Sequence, residues 1–564
     1  MKPIQRIIFC LLLGSFFALA SAKTRLTVSI TGVPKPIQQN ISDYLEQKQL
    51  DEKDMTKIMI KEQYFLNIEY IKQAMQPFGY FNPTIQPSLR KEKDHYIAKY
   101  VIQPGTAVTY QKITYNAGSN SKWIPDNAIR KGQVFTTEGY QKTKTALVHA
   151  ATKAGYIYAD INDSYVTIDE ASHSAIAHII LHPGKRYRFG DILFNSPYVD
   201  YDFLVKYAPF APGDYYNVEQ VEAFSKNVEK SQLFKSAQVI PRPDKEAAAG
   251  DRVHIDLNAH MKPKNEYQVG IGFDTDQYLQ TTFSVINNYV TQEGATSKMT
   301  IKAGASAIDA EVNYNTPGED PINSSEIYAL RVNTNDDKEV GYSNYVQTSI
   351  TNRVYHHPFI IEKSLNLHYE KSEPSDGDNY YSTLIYPELS LFSDATHRGK
   401  LRYNWSANIL AAARGLASTV NIIQGTWKSK VAYSVTDWLE LTSKLQLGAI
   451  ITNDFDAIPL SFQFAAGGAN SIRAYGYNSI GPGKILRVAS TELQFRLYKS
   501  LHWGVFADVG TVSNAIDTGK YYIGVGPALQ WKSPVGNANI SLAFPINDAD
   551  NKSWRLQFSF SPHL

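Results

Sequence analysis

Residues 266–274 read EYQVGIGFD, and every second residue of this run is apolar or aromatic. The apolar file consists of Tyr267, Val269, Ile271 and Phe273. The chain closes on the same pattern at residues 554–561, WRLQFSFS, where the file consists of Trp554, Leu556, Phe558 and Phe560. Strict alternation is typical of a β-strand with one apolar and one polar face. Both runs are therefore predicted to be strands.

About 16 such segments follow one another from about Glu266 to Leu564, a spacing that suits strands of about 10 residues joined by turns. Turn-rich intervals such as 333–337 and 374–378 separate them. A soluble β-sandwich and a transmembrane β-barrel both contain sheets with one apolar and one polar face, so either fold would explain the alternation. We expect an all-β transmembrane barrel of antiparallel strands, because the strand count is even, aromatic residues lie near strand ends and helical patterns are absent. Lipid cannot hydrogen-bond an open edge, so a spanning sheet must close.

The first residues predict export. Lys2 and Arg6 precede an apolar run from 7 to 19, and residues 20–22, Ala-Ser-Ala, suit a signal peptidase. We therefore expect a signal peptide over 1–22 that is removed before Lys23. The sole cysteine, Cys10, lies inside it, so the mature chain should contain no disulfide and no cysteine-ligated metal. Beyond the signal, no stretch approaches 18 continuous apolar residues, which leaves no candidate transmembrane helix.

The first half of the chain contains a repeat. Each copy places a helix before a turn and a strand, and ends in a strand followed by a proline: Pro104, Pro183 and Pro263, which are 79 and 80 residues apart. Three small α+β units are therefore predicted over 23–104, 105–184 and 185–264, before the barrel at 265–564. Coincidence between loosely similar segments is the alternative.

A stretch unlike a strand lies between two barrel strands: residues 465–483 read AAGGANSIRAYGYNSIGPG. Arg473 stands at its centre. By alternation, Glu492 on the next strand and Asp508 on the strand after it both face the lumen. A guanidinium binds a carboxylate through two parallel hydrogen bonds, and a buried charge requires such a partner. We expect Arg473 to bind Glu492, Asp508 or both, and the alternative is that all three are solvated pore charges.

These residues resemble the outer-membrane assembly and secretion barrels that carry POTRA (polypeptide-transport-associated) repeats. The loop motif of that family, Gly-Gly…(Val/Ile)-Arg-Gly-(Phe/Tyr), is matched by Gly467, Gly468, Ile472, Arg473 and Tyr475. Segments 506–510 and 524–536 are similar to its terminal strands. Two features depart from the family: Ala474 replaces the glycine that follows the motif's arginine, and the chain ends in Pro-His-Leu where a terminal aromatic residue is usual.

The resemblance implies an assembly or translocation factor rather than an enzyme, without a cofactor. The units at 23–104, 105–184 and 185–264 would be POTRA domains in the periplasm, and the barrel would lie in the outer-membrane bilayer. Partners implied are unfolded outer-membrane or autotransporter clients and a TamB-like subunit anchored in the inner membrane; support of lipid traffic is also expected. The first and last strands would meet in a seam that ends weakly, since Pro562 cannot donate a ladder hydrogen bond.

Other functions remain as alternatives. A two-partner secretion pore resembles this barrel but usually carries two POTRA units, and a passive porin would lack the N-terminal half. A net charge of +2 with both signs dispersed argues against a nucleic-acid partner. Paired histidines occur at 356–357 and at 178 and 182 without a nearby cysteine or carboxylate cluster, so no metal site is predicted.

Overall fold

The computed structural model describes residues 25–48, 55–92, 95–116, 123–194, 196–243, 250–393, 396–516, 519–534, 536–547 and 553–562. The predicted signal peptide, 1–22, and the last two residues, 563–564, lie outside these ranges. The chain divides into two compact units, one formed by 1–191, 211–219 and 243–254 and the other by 192–210, 220–242 and 255–564.

Three small sheets with helices precede the barrel, which confirms the predicted α+β units. Their strands are β1 (Arg25–Thr31), β2 (Thr84–Glu92), β3 (His95–Gln103), β4 (Thr109–Asn116), β5 (Tyr165–Asp169), β6 (Ser174–Ile180), β7 (Arg188–Leu193), β8 (Phe234–Pro243) and β9 (Arg252–Met261). The sheet orders are β1-β3-β2, β4-β6-β5 and β7-β9-β8. The helices are α1 (Lys35–Lys48), α2 (Lys57–Met75), α3 (Thr137–Lys153), α4 (Tyr201–Val205) and α5 (Val218–Lys230).

The two longest helices begin at threonine caps. Thr56 accepts a hydrogen bond from the Met59 amide, and Thr136 accepts one from the Gly139 amide. Such caps satisfy amides that have no partner within the helix. The apolar faces of the helices pack on the sheets, as shown by the fully buried Met75 of α2. Within the described ranges, no helix is long and apolar enough to span a membrane. Sequence patterns did not indicate α1 or α4.

The remaining strands form one closed antiparallel barrel. The barrel strands are β10 (Asn265–Asp274), β11 (Tyr278–Asn287), β12 (Thr296–Ala303), β13 (Ala307–Pro317), β14 (Ser324–Asp337), β15 (Gly341–His356), β16 (Phe359–Pro374), β17 (Tyr380–Ser393), β18 (Thr396–Arg398), β19 (Leu401–Ala412), β20 (Ile422–Thr436), β21 (Leu439–Ile451), β24 (Ile485–Tyr498), β25 (Leu501–Ser513), β26 (Tyr522–Ser533), β27 (Gly536–Pro545) and β28 (Arg555–Pro562). Two short strands, β22 (Phe464–Ala466) and β23 (Ile480–Gly483), pair with each other and are not part of the barrel. Because β17 and β18 both pair with β19, they share one position, and the predicted 16 strands are confirmed.

Strand lengths differ from the expectation of about 10 residues. The two longest strands, β15 and β16, have 16 residues each. The interval 333–337, predicted as a turn, is the end of β14 and pairs with β15 throughout, so that prediction was wrong. The reason is that Asn333 and Asn335 line a cavity in the lumen, where polar side chains in a strand remain solvated.

The two faces of the barrel differ as alternation requires. On the outer face, Val332, Val346 and Val505 are about two-fifths exposed. On the inner face, Glu370 and Asp508 are fully buried. An apolar exterior with a polar interior is the pattern of a transmembrane β-barrel, the reverse of a soluble protein.

The contact between β10 and β28, termed the seam below, is short. All ten residues of β10 pair with β11, whereas among the described residues two pair with β28: Phe273 lies opposite Phe560, and Asp274 opposite Ser559. The Phe273 and Phe558 rings lie 5.6 Å apart. Beyond this short contact, three outer-face residues of β10 are more than half exposed: Tyr267 (67%), Val269 (69%) and Ile271 (58%). On the other side of the seam, Trp554 precedes β28 and Leu556 lies within it, and both are exposed.

Candidate functional site

The segment between β21 and β24, residues 452–484, is termed the inserted loop below. It contains a short 3-10 helix over Leu460–Phe462 and the antiparallel pair β22–β23. Its buried apolar residues pack with residues of β24–β27 in one core cluster: Ala466, Ile472, Ala474, Tyr475 and Ile480 from the loop, and Val488, Phe506, Ala528 and Ala543 from the wall. The loop is therefore packed against the inner wall rather than extended into solvent.

Two glycines set the turn that carries the motif. Gly467 and Gly468 have φ of +110° and +90°, a region that L side chains rarely adopt. A Cβ on Gly467 would also lie 2.1 Å from the Gly476 carbonyl oxygen. The Gly468 amide donates to the Tyr475 carbonyl at 3.0 Å and closes the turn around Arg473. Backbone conformation thus accounts for both glycines.

The structure brings Arg473, Asp508 and Glu492 together. The Arg473 guanidinium donates from Nε to Asp508 Oδ2 and from Nη2 to Asp508 Oδ1, both at 2.8 Å. Nη1 donates to Glu492 Oε2 at 2.9 Å. The Arg473 backbone amide donates to Asp508 Oδ2 at 3.1 Å, so backbone and side chain hold the same carboxylate. Ser490 donates to Asp508 Oδ1 at 2.7 Å and completes its coordination.

This cluster is enclosed. Arg473 is 5% exposed and Asp508 is fully buried. The Arg473 guanidinium carbon lies 3.4 Å from the centroid of the Phe506 ring, which adds a cation–π contact. A buried ion pair is tolerated only when its geometry is good and the remaining donors and acceptors are satisfied. Both conditions hold for Arg473 and Asp508, whereas removal of either partner would leave an uncompensated buried charge.

The other motif residues pack on the wall. Ile472 is fully buried, and the Tyr475 ring meets the Tyr522 ring edge-on at 5.0 Å. Ala474 does not have positive φ, so its side chain is not strained. Its methyl group lies above Gly524 of β26, where an added Cβ would come within 2.8 Å of it. A wall glycine therefore provides the space that the alanine occupies.

The loop also contacts the hairpin turn between β10 and β11. The Ala469 amide donates to Asp276 Oδ2 at 2.6 Å, and Gln277 Nε2 donates to the Tyr477 hydroxyl at 3.0 Å. Burial raises the pKa of the Asp276 carboxyl above its usual value, although the Ala469 amide works against this. Across the seam, Gln557 of β28 donates to the Arg473 carbonyl at 3.3 Å. The loop thus contacts the turn that follows the first strand, and it contacts the last strand of the barrel directly.

A second buried carboxylate holds the loop on the opposite wall. Glu370 of β16 accepts from the Ser461 amide at 3.2 Å and also from the Ser461 hydroxyl. The Ser372 hydroxyl donates to it at 2.9 Å, and His368 Nε2 lies 3.0 Å from its Oε2. Glu370 is fully buried, so these contacts replace its hydration. Sequence reasoning missed this group, although alternation along β16 places these residues in the lumen.

No group of three or more His, Cys, Asp or Glu in the described ranges is arranged to hold a metal ion. The arrangement binds a loop; it does not resemble a catalytic centre, since its charged groups are engaged with one another.

Two family models match the chain. The Omp85 superfamily domain matches residues 391–562, which include the Arg473 cluster. The POTRA domain TamA domain 1 matches residues 27–104, the first α+β unit.

Individual proteins are more distant. The chloroplastic outer envelope protein 39 of Arabidopsis thaliana is 34% identical over 101 residues, which cover 16% of this chain and 27% of that relative. The chain thus spans about a quarter of the relative's length. BamA from Haemophilus ducreyi lacking POTRA domains 1-3 has a TM-score of 0.68 at 15% identity, covering 81% of this chain and 99% of that one, and shares the fold. CdiB from Acinetobacter baumannii has a TM-score of 0.49 at 12% identity, covering 89% and 97%.

The chain has a barrel of 16 strands after three α+β units, and both family models match it. The barrel lies in the outer membrane, and the N-terminal units lie in the periplasm. The barrel is thus Omp85-like over residues 391–562, and the first α+β unit is similar to a TamA-type POTRA domain over residues 27–104.

Proposed function

We propose that this protein inserts or exports outer-membrane β-barrel or autotransporter clients by pairing them with its seam. The observation that carries the proposal is the unequal pairing of the two edges of β10. All ten of its residues pair with β11, whereas two of them pair with β28 among the described residues. A partly unpaired strand presents amides and carbonyls that can pair with an incoming strand.

The geometry of the seam suits reversible opening. Each ladder hydrogen bond contributes on the order of 1 kcal/mol net, so a two-residue contact opens at far lower cost than a full-length pair of strands. Thr275 adds one bond on the extracellular side, where its amide donates to the Phe558 carbonyl at 3.0 Å. The periplasmic part of β10 stays exposed, on the side from which unfolded clients arrive.

The inserted loop is suited to regulate this seam. It contacts the turn after β10 through Asp276 and contacts β28 through Gln557. Arg473 holds the loop on β24 and β25, two strands that do not belong to the seam. The three residues Arg473, Glu492 and Asp508 therefore fix the loop so that it can support both seam strands.

Partners follow from the family of the first unit. Because residues 27–104 match a TamA-type POTRA model, we propose that a TamB-like subunit anchored in the inner membrane docks on the periplasmic units. The sheet edges there would hold unfolded clients by strand addition. No nucleotide is needed, because strand pairing and burial of apolar client surface in lipid release the free energy of insertion. Support of lipid traffic is a further part of the proposal.

A reversible covalent seam tests the mechanism. Phe273→Cys with Phe560→Cys places two thiols on directly opposite residues of β10 and β28. Oxidation should stop the appearance of folded client barrels in the outer membrane, and reduction should restore it. The matched control is Val332→Cys with Val346→Cys, also directly opposite on the outer face but on the fully paired β14 and β15.

The results separate the candidate functions. If the oxidised seam pair assembles clients at the rate of the oxidised control pair, seam opening is not part of the function. Depletion followed by a census of outer-membrane proteins tests the wider role. Loss of one exported protein alone, with barrels and autotransporters unchanged, would indicate the two-partner secretion pore. Constitutive ion conductance without any change in clients would indicate a porin.

A further inference from the structure

The linker between the third α+β unit and the barrel is fixed to the turn between β11 and β12. Residues 262–264 join β9 to β10, and each of their three carbonyls accepts a hydrogen bond from Asn288 or Tyr289. The Tyr289 hydroxyl donates to the first carbonyl at 3.0 Å, Asn288 Nδ2 to the second at 2.8 Å, and the Asn288 amide to the third at 2.9 Å. The chain is thus held at the point where it enters the barrel.

These two donors are buried. Asn288 is 8% exposed and Tyr289 is 7% exposed. Asn288 Nδ2 also donates to Glu266 Oε1 at 2.8 Å, so both of its hydrogens are used, one on the linker and one on β10. A buried donor that loses its acceptor destabilises the fold, so several groups together oppose displacement of the linker. The linker and the first residues of β10 are therefore held in one arrangement.

The turn that carries these donors is itself held by the segment that precedes α4. The Tyr289 ring lies 5.1 Å from the Tyr198 ring. The Asp200 amide donates to the Gln292 carbonyl at 2.9 Å, and Gln292 Nε2 donates to the Pro197 carbonyl at 3.1 Å. The turn therefore has a fixed position from which it holds β10.

The strand held in this way has an open edge. The Thr275 amide donates to the Phe558 carbonyl, so the odd-numbered residues along β10 direct their backbone groups toward β28. Tyr267, Val269 and Ile271 share this orientation, and among the described residues none of the three pairs with β28. Their amides and carbonyls are the groups to which a client strand would bond.

We propose that Asn288 and Tyr289 are positioning residues for client pairing: they hold the periplasmic end of β10 in the extended conformation with which an incoming client strand pairs. This inference rests on the proposed function and adds to it the contacts that prepare the seam. A client that pairs with a mobile strand must order it, and the entropy lost weakens binding. Both residues follow β11, so they act from the edge of β10 that a client does not use.

Hydrogen exchange of the full-length protein in detergent micelles tests the positioning directly. Asn288→Ala with Tyr289→Phe removes three side-chain hydrogen bonds and keeps the ring that packs on Tyr198. The amides of Gln268 and Gly270 are directed toward β11 by the same alternation. They should exchange about tenfold faster in the double variant, because hydrogen bonds of ordinary strength are lost.

Asn323→Ala is the matched control. Asn323 Nδ2 donates to Asp320 within the turn between β13 and β14, away from the seam strands, so exchange in β10 should not change. Tyr289→Phe alone removes a single oxygen and should have an intermediate effect. Heat-dependent gel mobility identifies variants that fail to form the barrel. Equal exchange of these amides in the natural protein and in both Tyr289→Phe forms would overturn the proposal.

The dependence on client concentration separates positioning from a merely structural role. The client is a purified, unfolded outer-membrane β-barrel, added to proteoliposomes that contain the full-length protein. In the double variant, the concentration that gives half the maximal insertion rate should rise about tenfold, since three hydrogen bonds are lost, while the maximal rate is unchanged. Unchanged half-saturation in spite of faster exchange would overturn the role in client pairing.

A covalent bond should rescue the double variant. Asn265→Cys with Asn287→Cys places thiols on directly opposite residues of β10 and β11, next to the linker. Oxidation should restore the half-saturating concentration, and failure to do so would contradict positioning. Client insertion by the oxidised Phe273→Cys/Phe560→Cys protein at the rate of its control would instead refute the proposed function. The exchange experiment would then still decide whether Asn288 and Tyr289 hold β10.

Discussion

The guanidinium of Arg473 and the carboxylate of Asp508 form two parallel hydrogen bonds of 2.8 Å inside the barrel. They come from a loop and from strand β25, and the backbone amide of Arg473 adds a third bond to the same carboxylate. The pair is enclosed, which makes it sensitive to the removal of one partner. The attachment of the loop is therefore concentrated in a few atoms.

Replacing Arg473 should release the inserted loop without unfolding the barrel. Arg473→Ala leaves Asp508 buried and unpaired, a loss of about 3–5 kcal/mol for such pairs. Arg473→Lys should lose part of this stabilising free energy, since an ammonium group cannot form the two parallel hydrogen bonds. Limited proteolysis with a protease that cleaves at aromatic residues, together with heat-dependent gel mobility, measures loop release and barrel formation separately.

Arg331→Ala is the matched control for this prediction. Arg331 also forms two bonds to one carboxylate, from Nε and Nη2 to Asp309, but these bonds join two wall strands, β13 and β14, instead of joining the loop to the wall. Equal protease resistance of the loop in Arg473→Ala and Arg331→Ala would show that the Arg473 cluster does not hold it.

The fit of Ala474 over Gly524 predicts a double-mutant effect. Gly524→Ala would place a methyl group 2.8 Å from the Ala474 methyl, and overpacking of this kind costs about 1–3 kcal/mol. Ala474→Gly should be mild alone and should restore part of the loss in combination. Limited proteolysis of the loop in the natural protein, the two single variants and the double variant gives the coupling free energy between the two positions. Gly425→Ala is the control, since its Cβ would meet one carbonyl at 3.9 Å. Strict additivity would refute the contact.

Much of this arrangement could be predicted from local sequence. Period-two alternation decides which face of a strand is apolar, so the lumen positions of Glu492 and Asp508 could be derived from their neighbours. The contact of Asp276 with Ala469 could not, because it joins residues 193 apart and depends on closure of the barrel. Polarity alone wrongly predicted a turn at residues 333–337, which belong to strand β14. Asparagine and aspartate are common in turns, but they also suit a strand that faces a water-filled lumen.

Glu370 should act as a second, independent attachment of the loop. Glu370→Gln removes the buried charge and replaces one acceptor oxygen by an amide that faces donors from Ser461 or Ser372. An unsatisfied buried group costs about 1–3 kcal/mol, so residues 452–462 should become open to protease while the Arg473 region stays protected. Glu362→Gln, on the same strand but paired with Arg353, is the control. Unchanged cleavage in Glu370→Gln relative to Glu362→Gln would exclude this attachment.

Acidification should strengthen the contact between the loop and the first hairpin. Burial raises the pKa of Asp276 above 3.8 when the loop is in place, whereas the released loop leaves this carboxyl in water. Protonation therefore favours the bound loop: the contribution is complete below 3.8 and is lost as pH rises through the raised pKa. Asp276→Asn keeps an acceptor for the Ala469 amide but cannot titrate. Hydrogen-exchange protection of residues 467–473, corrected for intrinsic rates, should rise on acidification in the natural protein and in the control Asp336→Asn, and rise less in Asp276→Asn. The same rise in all three would assign the pH dependence to another group.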